Sequence, residues 1–248
     1  ELIIKQSTSS EEMLVVLYFD PQRKIEGLAP KFADLKSELP IKGLVGLVRT
    51  KKGLKETLFE GRNFIQEKVA DKVFSIGPQS FFQVNTAILE EVIKDVKNSL
   101  CLSGKERIAD LYCGLGTFGL VLASDAQEVF GVESFPENIF FLKRNLNLNR
   151  VGNFTVCEGT SEEWISSLLK KDIDILIFDP PRKGISKQVV SYLLSRPVPL
   201  VIYISCNPST LVRDLKSLLT TYLLKDIHVY DFFPHTPHIE TCVILEKT

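Results

Sequence analysis

The sequence predicts an α/β fold: a doubly wound, mostly parallel sheet with a terminal antiparallel hairpin, preceded by a small β-rich domain. Three observations predict it. From Asn85 onward, short apolar strands alternate with helical patterns, as repeated βα units do. The first of those strands runs into a loop carrying Gly114, Gly116 and Gly119. The chain closes on two consecutive strand-like segments, Leu223–Phe233 and Glu240–Glu246, joined by a short Pro-His loop. The expected division is 1–75 for the small domain and 76–248 for the large one.

Taken in order, residues 1 to about 75 read as short strands and turns. Met13–Phe19 is strand-like and ends at Asp20-Pro21. Gly43–Val48 and Glu56–Phe59 are further strands, separated by Lys51-Lys52-Gly53. Lys42, Arg49, Lys51, Lys52 and Lys55 form a local basic stretch, read either as a solvated hairpin or as a phosphate-contacting surface. Ile88, Leu89, Val92, Ile93, Val96 and Leu100 then recur at helical spacing, with Asn85 or Thr86 as cap and Gly104 near the end. Strands follow at Arg107–Tyr112, Glu128–Glu133, Phe154–Glu158, Ile173–Asp179 and Leu200–Cys206. Helices are expected near Phe118–Ala126, Pro136–Asn149, Ser161–Leu169, Ser186–Leu194 and Thr210–Leu219.

The bulk properties exclude several classes. At 248 residues the chain holds one large domain and a small one, and its 44% hydrophobic content suits a water-soluble protein. The longest apolar runs, such as Leu200–Ile204, are too short to cross a bilayer, so no membrane partner is expected. No signal-peptide pattern opens the chain. It begins without Met in strand-like sequence, so a fragment of a longer protein is expected. Five cysteines without CxxC spacing argue against a disulfide framework or a metal site and for a reducing cytoplasmic setting. A monomer is expected. The net charge of −1 carries no global nucleic-acid signature, so an RNA substrate must be argued from the site.

The loop Asp110-Leu-Tyr-Cys-Gly-Leu-Gly-Thr-Phe-Gly119 satisfies GxGxxG between a strand and a helix, where glycines let the backbone approach a ligand. A nicotinamide or flavin enzyme would show the same loop, and Glu133, ending the next strand, suits a ribose diol in either case. Two features favour S-adenosylmethionine. Asp110 precedes the loop, where its carboxylate would orient a charged amino group or cap the loop. The sheet also closes with a hairpin instead of a second mononucleotide half.

Asp179-Pro-Pro-Arg182 ends the fourth strand. Two consecutive prolines stiffen that loop enough to hold a flat base against a methyl donor. Cys206 ends the fifth strand just before Asn207-Pro208. A thiolate there would add to C6 of a uracil and make C5 nucleophilic, and nearby helix amides are expected to raise the thiolate fraction. A base must then remove the C5 proton. Glu240, at the start of an antiparallel last strand, falls at the same edge as Cys206 and Asp179. His238 is the rival, two residues away and on the same strand face if the strand begins there, and His235 lies nearby.

Five blocks together resemble the bacterial RNA uracil-5-methyltransferase family, which acts on tRNA and ribosomal RNA. They are Phe81-Phe-Gln83-Val-Asn85, Asp110-Leu-Tyr-Cys-Gly114, Asp179-Pro-Pro-Arg182, Ser205-Cys-Asn-Pro208 and His238-Ile-Glu240. The resemblance implies a class I methyltransferase-like fold with S-adenosylmethionine as cofactor and tRNA or rRNA as partner. It places Gln83, Tyr112, Gly114, Glu133 and Asp179 at the cofactor or the target base, with Asp179, Phe81 and Arg182 at the substrate. It makes Cys206 the nucleophile and Glu240 the base. Thr117 stands where relatives often carry a cofactor-touching Asn. Relatives usually add an N-terminal oligonucleotide-binding-like barrel, and some a four-cysteine iron–sulfur site. Neither is in this sequence, so residues 1–75 are expected to be part of a central RNA-facing domain. The rival readings are an RNA cytosine-5-methyltransferase, whose double proline is typically joined by a Cys where Arg182 stands, a base-amino methyltransferase, a dehydrogenase and a non-catalytic RNA-binding module.

Overall fold

A computed structural model describes residues 1–19, 28–50 and 53–248. The expected strand end at Asp20-Pro21 and the Lys51-Lys52 turn lie outside the described residues. The chain divides into two compact units, one of residues 1–69 and 73–82, the other of 70–72 and 83–248.

In the first unit, β1 (Leu2–Gln6), β2 (Met13–Phe19), β3 (Ile41–Thr50) and β4 (Gly53–Gly61) form a sheet in that order. β1 and β4 pair antiparallel with their neighbours, but β2 and β3 run parallel. A parallel pair cannot be joined by a tight turn, and α1 (Leu28–Glu38) lies on the crossover between them. This corrects the expectation of strands and turns alone. Pro30 falls in the helix's first turn, where a residue without an N–H loses no helical bond. Phe32 of α1 packs with Ile41 and Leu44 against Met13, Val15 and Leu17. β5 (Ile65–Val69) and β6 (Lys72–Ile76) make a separate two-stranded ribbon. Lys42 and Arg49 of β3 and Lys55 of β4 are exposed.

The second unit opens with α2 (Thr86–Leu100). Asn85 caps it, its Oδ1 accepting from the Ile88 N–H at 3.3 Å. Cys101, at φ +47°, ends it ahead of the expected Gly104. Then follow β7 (Arg107–Leu111), α3 (Thr117–Leu122) with a 3₁₀ turn at Ala123–Asp125, β8 (Glu128–Glu133), α4 (Pro136–Leu148), β9 (Phe154–Glu158) and α5 (Ser161–Leu168). The chain continues through β10 (Ile175–Phe178), α6 (Lys187–Ser195), β11 (Leu200–Ser205), α7 (Pro208–Leu218), β12 (Tyr222–Tyr230) and β13 (Glu240–Lys247). The seven strands stand in the order β12-β13-β11-β10-β7-β8-β9. β10 and β11 extend from one side of β7 and β8 and β9 from the other, so the order reverses between β7 and β10, where doubly wound sheets bind ligands.

The terminal hairpin is threaded. After β11 the chain passes through α7 to the sheet edge and leaves one strand position empty. β13 returns antiparallel into that gap and pairs with both β11 and β12. Reversal of this one strand brings its first residue to the edge where the parallel strands end. The core is continuous under the sheet, with Leu111, Phe178, Tyr203, Leu218 and Val243 all buried. Among the described residues no helix is long and apolar enough to cross a membrane, and no group of His, Cys, Asp and Glu is arranged to hold a metal ion.

Candidate active site

Strand register assembles the site. Phe178 lies opposite Leu111, and Leu111 opposite Val132. The next residues are Asp179, Tyr112 and Glu133, so these three stand side by side at the end of the sheet, Glu133 still paired with Glu158 of β9. β11 runs on to a last pair, Ser205 opposite Thr241 of β13. The residues just beyond that pair are Cys206 and Glu240, which therefore come out at the same edge of the sheet, near enough for the Glu240 carboxylate to act on the thiol. Parallel pairing of β10 with β11, Phe178 opposite Tyr203, sets the Pro180-Pro181 stretch beside the end of β11.

The glycine loop is tied down by its neighbours. Tyr112 takes φ +64°, a conformation a non-glycine residue holds only when its surroundings impose it. Gly114, at φ +57°, donates its N–H to Glu133 Oε2 at 2.9 Å. The other Glu133 oxygen accepts from the Ser134 and Phe135 N–H groups at 2.9 and 2.7 Å. Glu133 thus bridges the glycine loop and the turn into α4. A side chain added at Gly114 would meet nothing within 4 Å, so this part of the loop borders open space. Thr117 is the first residue of α3 and is half-buried.

Asp110 lies inside β7, one layer below the loop. Its Oδ2 accepts from the Gly119 N–H at 2.9 Å, while its Oδ1 is buried with no partner. Burial pushes its carboxyl up to about 7; the Gly119 bond opposes, and Asp179 and Glu133 add to the rise. Gln83, in the segment entering α2, likewise has a buried Oε1 with no partner. A ligand with ammonium and hydroxyl donors suits these unspent acceptors, and a cationic one suits the cluster of carboxylates.

Burial pushes Asp179 up to about 7. Glu240 is buried and also rises to about 7, from burial and then Asp179, with Arg182 opposing. The Cys206 thiol is half-buried, and it is raised, not lowered. This corrects the expectation that helix amides would favour the thiolate. Burial comes first, the Glu240 and Asp179 carboxylates add to it, and the Cys206 backbone N–H and the Arg182 cation only partly offset them.

The neighbouring histidines stand outside the strand. β13 begins at Glu240, and His235 and His238 sit exposed in the preceding loop. His238 stacks edge-on against Phe233, with ring centroids 6.3 Å apart. The condition under which His238 would share a strand face with Glu240, a strand beginning at His238, is not met: the ladder with β11 and β12 starts at Glu240. Phe81 belongs to the first unit, where it is exposed, and Arg182 is exposed on the loop after the prolines.

Sequence reasoning missed the groups that hold that loop. Arg182's carbonyl accepts from Asn207 Nδ2 at 3.1 Å and Thr210 Oγ1 at 3.2 Å. Asp214 Oδ2 accepts from the Ile185 N–H at 3.1 Å and the Tyr203 hydroxyl at 2.7 Å. A signal was present: Asp214 shares the buried stripe of α7 with Leu211 and Leu218, and a carboxylate on an apolar stripe needs donors.

The model of the tRNA (Uracil-5-)-methyltransferase family matches residues 4–248. The chain is 34% identical, over a 256-residue alignment, to an "Uncharacterized RNA methyltransferase" of Enterococcus faecalis, covering 99% of this chain and 56% of that one. A Clostridium tetani protein of the same description is 32% identical over the same shares. The chain thus spans a little over half the length of these relatives. Among solved structures it is similar to the Pyrococcus abyssi tRNA (uracil-54, C5)-methyltransferase in complex with S-adenosyl-L-homocysteine. The TM-score there is 0.80 at 28% identity, over 98% of this chain and 59% of that one. The tRNA m1G37 methyltransferase of M. jannaschii shares the fold, with a TM-score of 0.57 at 14% identity over 95% and 72%.

Proposed function

The chain belongs to the tRNA (uracil-5-)-methyltransferase family, and from that premise we propose that it methylates C5 of a uridine in RNA through a covalent bond between Cys206 and C6 of the base. The observation that carries this reading is the placement of Cys206 and Glu240 just beyond the Ser205–Thr241 pair, beside Asp179. A nucleophile and a base at one sheet edge match the two demands of the chemistry.

C5 of uracil is a weak nucleophile. The Cys206 thiolate adds at C6, forming an S–C6 bond and leaving C5 enolate-like. S-adenosylmethionine, when bound, supplies the methyl group as an electrophile on a sulfonium. Gln83, Tyr112, Gly114, Thr117, Glu133 and Asp179 would hold it, and the unpartnered Gln83 Oε1 and the open face of Gly114 fit such a group. After methylation, C5 carries a proton that the Glu240 carboxylate removes. The C6–S bond then breaks, the C5–C6 double bond re-forms and the thiolate leaves. A carboxyl near 7 suits this task, because it is a stronger base than an ordinary carboxylate and is still substantially ionised at neutral pH.

Arg182 and Asp179 would bind the target nucleotide, and Phe81 would contact RNA from the first unit, whose exposed Lys42, Arg49 and Lys55 suit phosphates. The substrate is tRNA or rRNA, and the protein works as a cytoplasmic monomer. The test is RNA carrying 5-fluorouridine, offered with S-adenosylmethionine. Fluorine cannot leave C5 as a proton does, so a denaturation-resistant protein–RNA adduct should accumulate, and Cys206→Ala should abolish it. An adduct that persists in that variant, or maps to Cys113, refutes the assignment.

A further inference from the structure

We propose that Asp214 is a positioning residue for methyl transfer, fastening the Asp179–Arg182 loop to the helix that follows Cys206; the inference rests on the functional reading above. The two halves of the site come from different strands. Asp179 leaves β10 and Cys206 leaves β11, and the β10–β11 ladder sets the two strand ends side by side; Arg182, four residues past that ladder, depends in addition on whatever joins the two loops. That joint is α7. Asn207 and Thr210, in its first turn, donate to the Arg182 carbonyl. One turn on, Arg213 Nη2 donates to the Lys183 carbonyl at 2.9 Å and the Ile185 carbonyl at 3.4 Å. Asp214 accepts from the Ile185 N–H, and its Oδ1 accepts from Arg213 Nε at 2.8 Å, which orients the guanidinium toward those carbonyls.

Asp214 is itself anchored to the sheet. It is 4% exposed, and it accepts from the hydroxyl of Tyr203, a fully buried residue of β11 three positions before Cys206. Burial and Asp214 hold that phenol well above its ordinary range, so it remains a donor. The loop also closes too near the carboxylate for any side chain at Gly184. A Cβ there would lie 2.5 Å from Asp214 Oδ2 and 2.7 Å from Arg213 Nη2, and the residue takes φ +74°. Ile185 packs into the core at the loop's far end, and a cavity of about 590 Å³, lined by Lys183, Val190, Leu194 and Arg213 among others, adjoins the loop. The hydrogen bonds to α7 therefore fix the far part of the loop, Arg182 to Ile185, relative to the thiol, and through it brace Asp179 on the strand end.

The test uses three variants of the full chain. Asp214→Asn keeps the shape but turns N–H donors toward Arg213 or Ile185. Gly184→Ala forces the loop off the carboxylate. Tyr203→Phe keeps the core ring and deletes only the anchor's hydroxyl, so one variant remains folded if the others do not. Amide exchange at Ile185 and tryptic cleavage after Arg182 and Lys183 should rise about tenfold or more, with exchange in β7 and β8 unchanged. Single-turnover adduct formation on 5-fluorouridine RNA should fall roughly 10–100-fold, while the Kd for RNA moves less than about threefold. Asp214→Asn combined with Gly184→Ala should be little worse than either alone, because both act on one contact. Unchanged loop exchange and cleavage in all three variants overturns the proposal. So does a loosened loop with an unaltered adduct rate, which would leave Asp214 a stabilising residue only. Absence of adduct in the unaltered protein overturns the functional reading and the kinetic half of this one, while the exchange and cleavage results still decide whether the joint exists.

Discussion

Replacing Glu240 with glutamine should split the reaction into a part that runs and a part that stalls. Addition of Cys206 and methylation of C5 need no base at C5, so both should proceed. Removal of the C5 proton needs one, and glutamine keeps the shape and an acceptor oxygen while losing the basicity. The structure sets the size of the effect. Glu240 is 5% exposed and lies just beyond the last β11–β13 pair, at the same edge as Cys206, and its carboxyl is raised to about 7 by burial and by Asp179. A base of that strength is about one-tenth ionised at pH 6 and about nine-tenths at pH 8, so release in the unaltered protein should rise about tenfold across that interval. Glu240→Gln should lose this dependence and turn over about 10²–10⁴-fold more slowly, the usual contribution of a positioned base. The assay is a denaturing gel with ordinary uridine RNA and a labelled methyl donor, sampled over time at pH 6, 7 and 8. A labelled protein–RNA band should accumulate in Glu240→Gln and not in His238→Gln. Normal turnover in Glu240→Gln, with the methylated adduct held up in His238→Gln, would refute the reasoning and move the base to the exposed loop before β13.

Other outcomes follow from the same geometry. Glu133→Ala should weaken S-adenosylmethionine by about 1–3 kcal/mol in calorimetry, the scale of hydrogen bonds to a charged group, and tight binding of NAD in its place would contradict the assignment. Stability should fall as pH rises. Asp110 and Asp179 have folded-state values near 7, above the ordinary 3.8, so the folded protein binds more protons than the unfolded one between about pH 4 and 7. The stabilisation is fully present below the ordinary value and is lost as pH climbs through 7. Urea midpoints should therefore drop from pH 5 to pH 8, and Asp110→Asn should flatten the curve. A flat curve in the unaltered protein would show that these carboxyls are not raised. S-adenosylmethionine, being cationic, should bind more tightly at pH 8 than at pH 6, because the carboxylates around it ionise over that range; calorimetry showing no such change would argue against a carboxylate-lined cofactor site.

Much of the large unit was legible in local spacing. β8 and β9 fall on the residues their apolar patterning marks, and α4 and α5 differ only in their last residue. The glycine loop, the Asp179 loop and Cys206 could all be placed at strand ends before any coordinates. The small unit was less legible. Its helix α1 carries Pro30 and only a weak apolar stripe, and the need for a crossover appears only once β2 and β3 are known to be parallel. Whether His238 shares a face with Glu240 was left open by the sequence, because a two-residue spacing assigns a face only if the ladder reaches that far, and ladder length depends on β11 and β12.

Cys206 marks the boundary between what the two levels could say. Its residue type and its place at the end of an apolar strand are properties of the sequence, and they were sufficient to nominate a nucleophile. The direction of its pKa was not, because two of the groups that raise it, Glu240 and Asp179, are 34 and 27 positions away along the chain and come close only through strand pairing. The same holds for Asp214, whose place on an apolar helical stripe is visible in sequence but whose partners Ile185 and Tyr203 arrive from two other segments. Periodicity, caps and glycine spacing act over a few residues and so belong to the sequence by itself. Burial, charge proximity and the joint between the two catalytic loops are sums over distant neighbours: the β10–β11 pairing brings Asp179 to Cys206, the packing of α7 makes the joint, and the threading of β13 between β11 and β12 brings Glu240.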